Sequence, residues 1–130
     1  MRPIEIYDYA NPKKSPPYRH TWIRPDGVMP EDEKIQQAFL LYISDMGLLA
    51  AANQPHGRNF LTKNLQVASL DHAMWFHQKL DFNDWVLYAI DSPYSGNSRG
   101  FCKGSIYSRD GKLIASCTQE GLMRLWPEDK

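Results

Sequence analysis

The chain has 130 residues, 42% of them hydrophobic and 23% charged, the balance of a folded globular protein with room for one ordinary core. Fifteen basic residues offset fifteen acidic ones, so no net field draws in a polyanion, and neither nucleic acid nor an anionic membrane is expected as a partner. The same neutrality does nothing to hold copies apart, and self-association is expected.

In chain order, the opening PIEIYDY alternates Ile4 and Ile6 with Glu5 and Tyr7, which predicts a strand. It also places a proline, a glutamate and an aspartate where a signal peptide would be apolar, and the ending WPEDK is not a peroxisomal address. NPKKSPPY reads as a loop, and HTWIRPDG as a short extended piece closed by a Pro-Asp-Gly turn. Pro30 begins a helix, with Glu31, Asp32 and Glu33 near the positive end of its dipole. The helix is predicted to run to about Asn53 and to stop before Pro55 and Gly57. From Leu41 onward it is apolar nearly all round, so other structure is expected to wrap it. The run is too short for a membrane span and carries Asp45 inside it.

The remainder reads as strand: LQVASLDHAMWFH, then WVLYAIDS and GFCKGSIYS with the turn PYSGNS between them, then the hairpin RDGK leading into LIASCTQEGLMRLW. One buried helix followed by an antiparallel meander predicts an α+β hotdog fold, a central helix wrapped by a curved antiparallel β-sheet, as a single domain over residues 1–130. Cys102 and Cys117 do not make a metal spacing, and no phosphate-binding glycine loop is present, so neither metal nor cofactor is expected. Two buried thiols suit a reducing compartment, and the expected location is cytoplasmic.

Asp45 is the only charge in AFLLYISDMGLLAAAN. An ionised carboxylate in apolar company is costly unless paired or hydrogen-bonded, and a carboxyl taken out of water moves toward the range of a useful general base. Strand alternation supplies two companions. Leu113, Ala115, Cys117 and Gln119 share one face, as do Leu65, Val67 and Ser69, so Gln119 and Ser69 continue apolar rows into the helix–sheet interface. Carboxylate, hydroxyl and amide form either a structural hydrogen-bond knot or a group that holds a water. Asp71 and His72 of SLDH point to opposite strand faces, which rules out a local serine relay and leaves them a structural role. His56 is expected to sit in its turn. Trp75, Phe76, Trp85 and Tyr88 read as core and interface aromatics, and Arg99 and Lys103 as ordinary surface charges.

SLDHAMWFH, SDMGLLAAANQPHG and CTQEGLMR resemble the second half of the acyl-CoA thioesterase II family, hotdog enzymes that hydrolyse fatty acyl-CoA. MRPIEIYD and HTWIRPDG resemble the beginning of that half, so the likeness runs from about residue 2 to residue 126, with several motifs in order. The resemblance implies a catalytic group of Asp45 in YISDMG, Ser69 in VASLDH and Gln119 in CTQEG, with Ser69 where some members carry Thr. It implies direct attack of water on the thioester, Asp45 taking the proton while Ser69 and Gln119 orient the water, with acyl-CoA as substrate. Members carry two hotdogs in tandem, so the implied partner is a missing N-terminal half or a second copy, meeting at an exposed sheet edge. A non-catalytic acyl-CoA-binding or assembly module is the alternative. A hotdog hydratase fits less well: its Asp-x-Asn-Pro-x-His pattern is absent, with Ala50 where the histidine would follow Asp45.

Overall fold

The alternating runs join one antiparallel sheet that curls around a helix. The structure, a computed structural model, describes residues 1–79 and 81–127; residues 128–130, part of the ending read above, lie outside them. In chain order the elements are β1 (Arg2–Pro3), β2 (Tyr18–Ile23), α1 (Glu33–Ser44), α2 (Leu48–Asn53), a 3-10 turn (Gln54–His56), β3 (Leu65–Ser69), β4 (Ala73–Phe76), β5 (Val86–Gly96), β6 (Arg99–Ser108) and β7 (Leu113–Leu125). The spatial order is β1-β2-β5-β6-β7-β3, and β4 follows β3 along the same edge of β7. This is the expected hotdog arrangement.

The expected single helix is two. Asp32 caps α1, its carboxylate accepting from the Lys34 N–H at 2.8 Å, a common N-cap device. The helix ends at Ser44 because Gly47 takes φ +79°, a left-handed conformation that glycine adopts without a Cβ penalty. After this break α2 is buried along nearly its whole length and lies on β5, β6 and β7. Gly100 and Gly121 are cross-strand neighbours, and a Cβ on either would run into Ala52 and Met123 or into Leu49. The two bare positions let α2 sit close to the sheet. Leu48, Phe82, Val86 and Ile106 fill the core around it, each contributing roughly 1.5–3 kcal/mol by leaving water.

Wrapping is complete for α2 but not for α1, where Leu41 and Tyr42, with Met46 just beyond, stay exposed. By length and composition alone the run Glu33–His56 would pass for a membrane span, a test that a core helix also meets. The opening strand is shorter than expected. The ladder holds residues 2 and 3 and one further backbone bond from the Ile4 N–H to the His20 carbonyl, and it ends there because the Glu5 carboxylate takes the His20 N–H at 2.8 Å and Asp8 folds the chain back onto Ala10 and Asn11. Conversely, β5 continues through the expected turn PYSGNS with a register shift between Asp91 and Tyr94. Only Asn97 and Ser98, both at positive φ, make the hairpin turn.

Candidate active site

The helix break and two strands bring Asp45, Ser69 and Gln119 together. Asp45 caps the C-terminus of α1, Ser69 ends β3, and Gln119 lies midway along β7 with 1% of its surface exposed. The Gln119 amide nitrogen donates to Ser69 Oγ at 2.6 Å, and Ser69 Oγ donates to Asp45 Oδ1 at 3.4 Å. The three polar groups therefore form a directed chain from amide through hydroxyl to carboxylate. The expected dryness is not found, however. Asp45 and Ser69 are both exposed, because α1 breaks at Asp45 and β3 is an edge strand of the sheet among the described residues.

The run LQVASLDHAMWFH is broken too, and the break matters. Ser69 pairs with Gly121 and Ala73 with Thr118, so three residues, Leu70, Asp71 and His72, stand opposite two, Gln119 and Glu120. This is a β-bulge, a feature that re-aims side chains and favours strand edges and active sites. The Asp71 carboxylate accepts the Glu120 N–H at 2.7 Å, taking a bond that a strand carbonyl would otherwise accept. In an unbroken strand His72, three residues past Ser69, would face the other way. The extra residue puts it on the same side, with Nδ1 2.5 Å from Gln119 Oε1 and Nε2 2.8 Å from Ser44 Oγ. Alternation correctly sent Asp71 and His72 apart, but it could not reveal that His72 joins the Ser69 face.

Asp45, Ser69 and Gln119 line a cavity of about 490 Å³ whose walls are mostly apolar. Leu49, Val67 and Ile90 face it, as do Tyr7 and Tyr9 from the N-terminal segment, which periodicity read only as a strand. That segment is fastened by several polar contacts. The Asn59 amide donates to the Tyr9 carbonyl at 2.7 Å, Arg19 donates to the Tyr9 hydroxyl at 2.8 Å, and Glu5 lies 2.6 Å from the His20 ring. Burial pushes the Glu5 carboxyl up, but the hydrogen bonds from His20 outweigh it and hold the group below its ordinary value.

Other candidates fall elsewhere. His56 contacts Ser95 Oγ at 2.7 Å in its turn, Lys103 meets Asp91 and Arg99 meets Glu120, and Trp85 is flanked by Arg2 and Arg24. Trp75 and Phe76 are exposed on the β4 edge. Tyr88 is buried and supports the site from behind, donating to the Ser44 carbonyl at 2.5 Å and lying 3.2 Å from Cys117 Sγ. Burial first, and then the neighbouring thiol, holds its phenol well above the usual range, so it stays a donor. Cys102 and Cys117 are free and buried, and burial pushes the Cys102 thiol up to about 11.

A family model described as acyl-CoA thioesterase matches residues 3–122. Acyl-CoA thioesterase 2 of Haemophilus influenzae is 44% identical over 114 residues, covering 88% of this chain and 40% of that protein. Human acyl-coenzyme A thioesterase 8 is 34% identical over 129 residues, covering 98% of this chain and 40% of that protein. Among solved structures, an acyl-CoA thioesterase II from Mycobacterium marinum superposes with a TM-score of 0.78 at 38% identity, over 90% of this chain and 44% of that one. The chain thus spans about two fifths of the length of these relatives.

Proposed function

This chain belongs to the acyl-CoA thioesterase family, and from that premise we propose that it hydrolyses fatty acyl-CoA by direct attack of water, with Asp45 as general base. The observation that carries the reading is the directed chain Gln119–Ser69–Asp45 beside an apolar cavity. The cavity takes the acyl chain, and the thioester carbonyl lies against the polar trio. Ser69 and Gln119 hold a water by its oxygen and a proton. As that oxygen bonds to the carbonyl carbon, the water's other proton passes to Asp45. The tetrahedral centre then collapses, the carbon–sulfur bond breaks, and the departing thiolate takes the proton back. Fatty acid and CoA are released with no acyl-enzyme and no cofactor. A base so placed contributes typically about 10²–10⁴-fold in rate.

The active unit on this reading is a pair of hotdogs, of which this chain is the equivalent of the second. Leu70, Trp75 and Phe76 are exposed along the β3–β4 edge, and Leu41 and Tyr42 on α1. An open edge with apolar neighbours is a surface that pairs. A second copy or a preceding hotdog half lying there would also take Asp45 and Ser69 out of water, the setting in which a carboxylate base gains most. Two free buried thiols suit a reducing compartment, and the cytoplasm remains part of the reading.

Thiol release from a ladder of acyl-CoA chain lengths tests the proposal, with molar mass in solution measured on the same sample. Turnover by a dimer, rising with acyl length until the cavity is filled, is the expected result. A folded sample that binds acyl-CoA without releasing thiol would contradict it and identify a binding module.

A further inference from the structure

The bulge at residues 70–72 leaves one group in contact with the trio that the hydrolysis does not use. His72 Nδ1 lies 2.5 Å from Gln119 Oε1, and its Nε2 lies 2.8 Å from the hydroxyl of Ser44, which is fully buried. Ser44 immediately precedes Asp45 in the chain. The contacts therefore close a ring that runs from His72 through Gln119, Ser69 and Asp45 to Ser44 and back to His72.

Direction is what the ring decides. A glutamine amide has nearly the same shape either way round, and only its partners choose between donor and acceptor ends. With the oxygen toward His72, the amide nitrogen donates to Ser69, and the Ser69 proton is left for Asp45. Turned round, the amide would present its oxygen to Ser69 and draw that proton back, away from the carboxylate. A carbonyl oxygen accepts and cannot donate, so the orientation found is stable only while Nδ1 of His72 carries a proton. We infer that His72 is a positioning residue whose Nδ1–H selects the Gln119 orientation that directs the Ser69 proton to Asp45. The Ser44 hydroxyl donates to the Leu41 carbonyl at 2.8 Å, so its oxygen accepts from Nε2 when the ring carries both protons; in the neutral ring Nε2 is bare, and the Ser44 hydroxyl turns from Leu41 to donate to it. The inference rests on the hydrolytic reading of Asp45, Ser69 and Gln119.

Two experiments decide it. Long-range nitrogen–proton NMR of the ¹⁵N-labelled chain, with the His72 ring assigned by its loss in His72→Asn, reads the ring without any turnover. A proton on Nδ1, whether or not Nε2 also carries one, supports the inference; a bare Nδ1 beside a protonated Nε2 overturns it. The second compares His72→Asn, whose amide nitrogen stands where Nδ1 was and still reaches Gln119, with His72→Gln, whose amide stands where Nε2 was and reaches only Ser44. His72→Gln is expected to lose about 10²-fold in kcat, the scale of a reacting group held out of line, with KM little changed. His72→Asn is expected to keep most of its kcat. Equal kcat in the two variants, both folded by circular dichroism, would overturn the inference. A chain that fails to turn over at all counts against the hydrolytic reading alone, because the ring's protonation still decides what His72 does.

Discussion

The two sides of the helix break at Gly47 are built on different physics. On one side α2 lies against β5, β6 and β7 through apolar side chains and the bare Gly100–Gly121 pair. There the contact is close, dry and held by packing. On the other side, where α1 ends and the β3–β4 edge passes, the partners are Asp45, Ser69 and His72, two of them exposed and all joined by hydrogen bonds. The closed side holds the fold, and the open side carries the polar groups. The difference teaches that substitutions on the two sides have separable effects, one on stability and the other on turnover.

Ser69→Ala sharpens the contrast most. Ser69 is exposed, so its loss is expected to lower the melting temperature by only a few degrees, the cost of leaving one Gln119 N–H without its partner, while thiol release falls by about 10²-fold as the water loses its alignment. A comparable loss of both would mean that the open side also supports the fold. Gly121→Ala tests the reverse. Its new methyl meets Leu49, and overpacking of that kind costs about 1–3 kcal/mol, read as a lower urea midpoint with the same slope. A midpoint equal to the parent's would show that α2 does not lie as close as described.

The smallest effect concerns the fastening of the N-terminal segment. The Glu5 carboxyl is held below its ordinary value of 4.5 by His20, so this contact stabilises the folded state above that value and is lost as pH falls through the lowered one. Amide exchange at Ile4, whose N–H donates to the His20 carbonyl at 2.9 Å, is expected to quicken in that acid range relative to core amides. Glu5→Gln should remove the pH dependence.

Much of this was legible from periodicity. Alternation in LIASCTQE placed Gln119 on the buried face, the lone charge of the helix marked Asp45, and the apolar row of LQVAS placed Ser69. What was not legible came from single residues that break a period. Gly47 splits the helix by taking positive φ, which a helical apolar pattern hides. The extra residue in LDH shifts the register of an edge strand, and only the pairing partner on β7 reveals it. The exposure of Asp45 was misread for a related reason, since an apolar neighbourhood in sequence is not a buried one when an edge strand lies alongside. The walls contributed by Tyr7 and Tyr9 arise from long-range contacts to Arg19 and Asn59, which local pattern does not carry.

The central claim is that Asp45 takes the proton from an attacking water. Its most direct test is thiol release from one long-chain acyl-CoA by this chain and by its Asp45→Asn variant, with both shown to be folded and in the same oligomeric state. The expected result is a fall in kcat of about 10²–10⁴-fold with KM within a few-fold of the parent. Equal kcat in the two proteins would contradict the mechanism and move the base elsewhere.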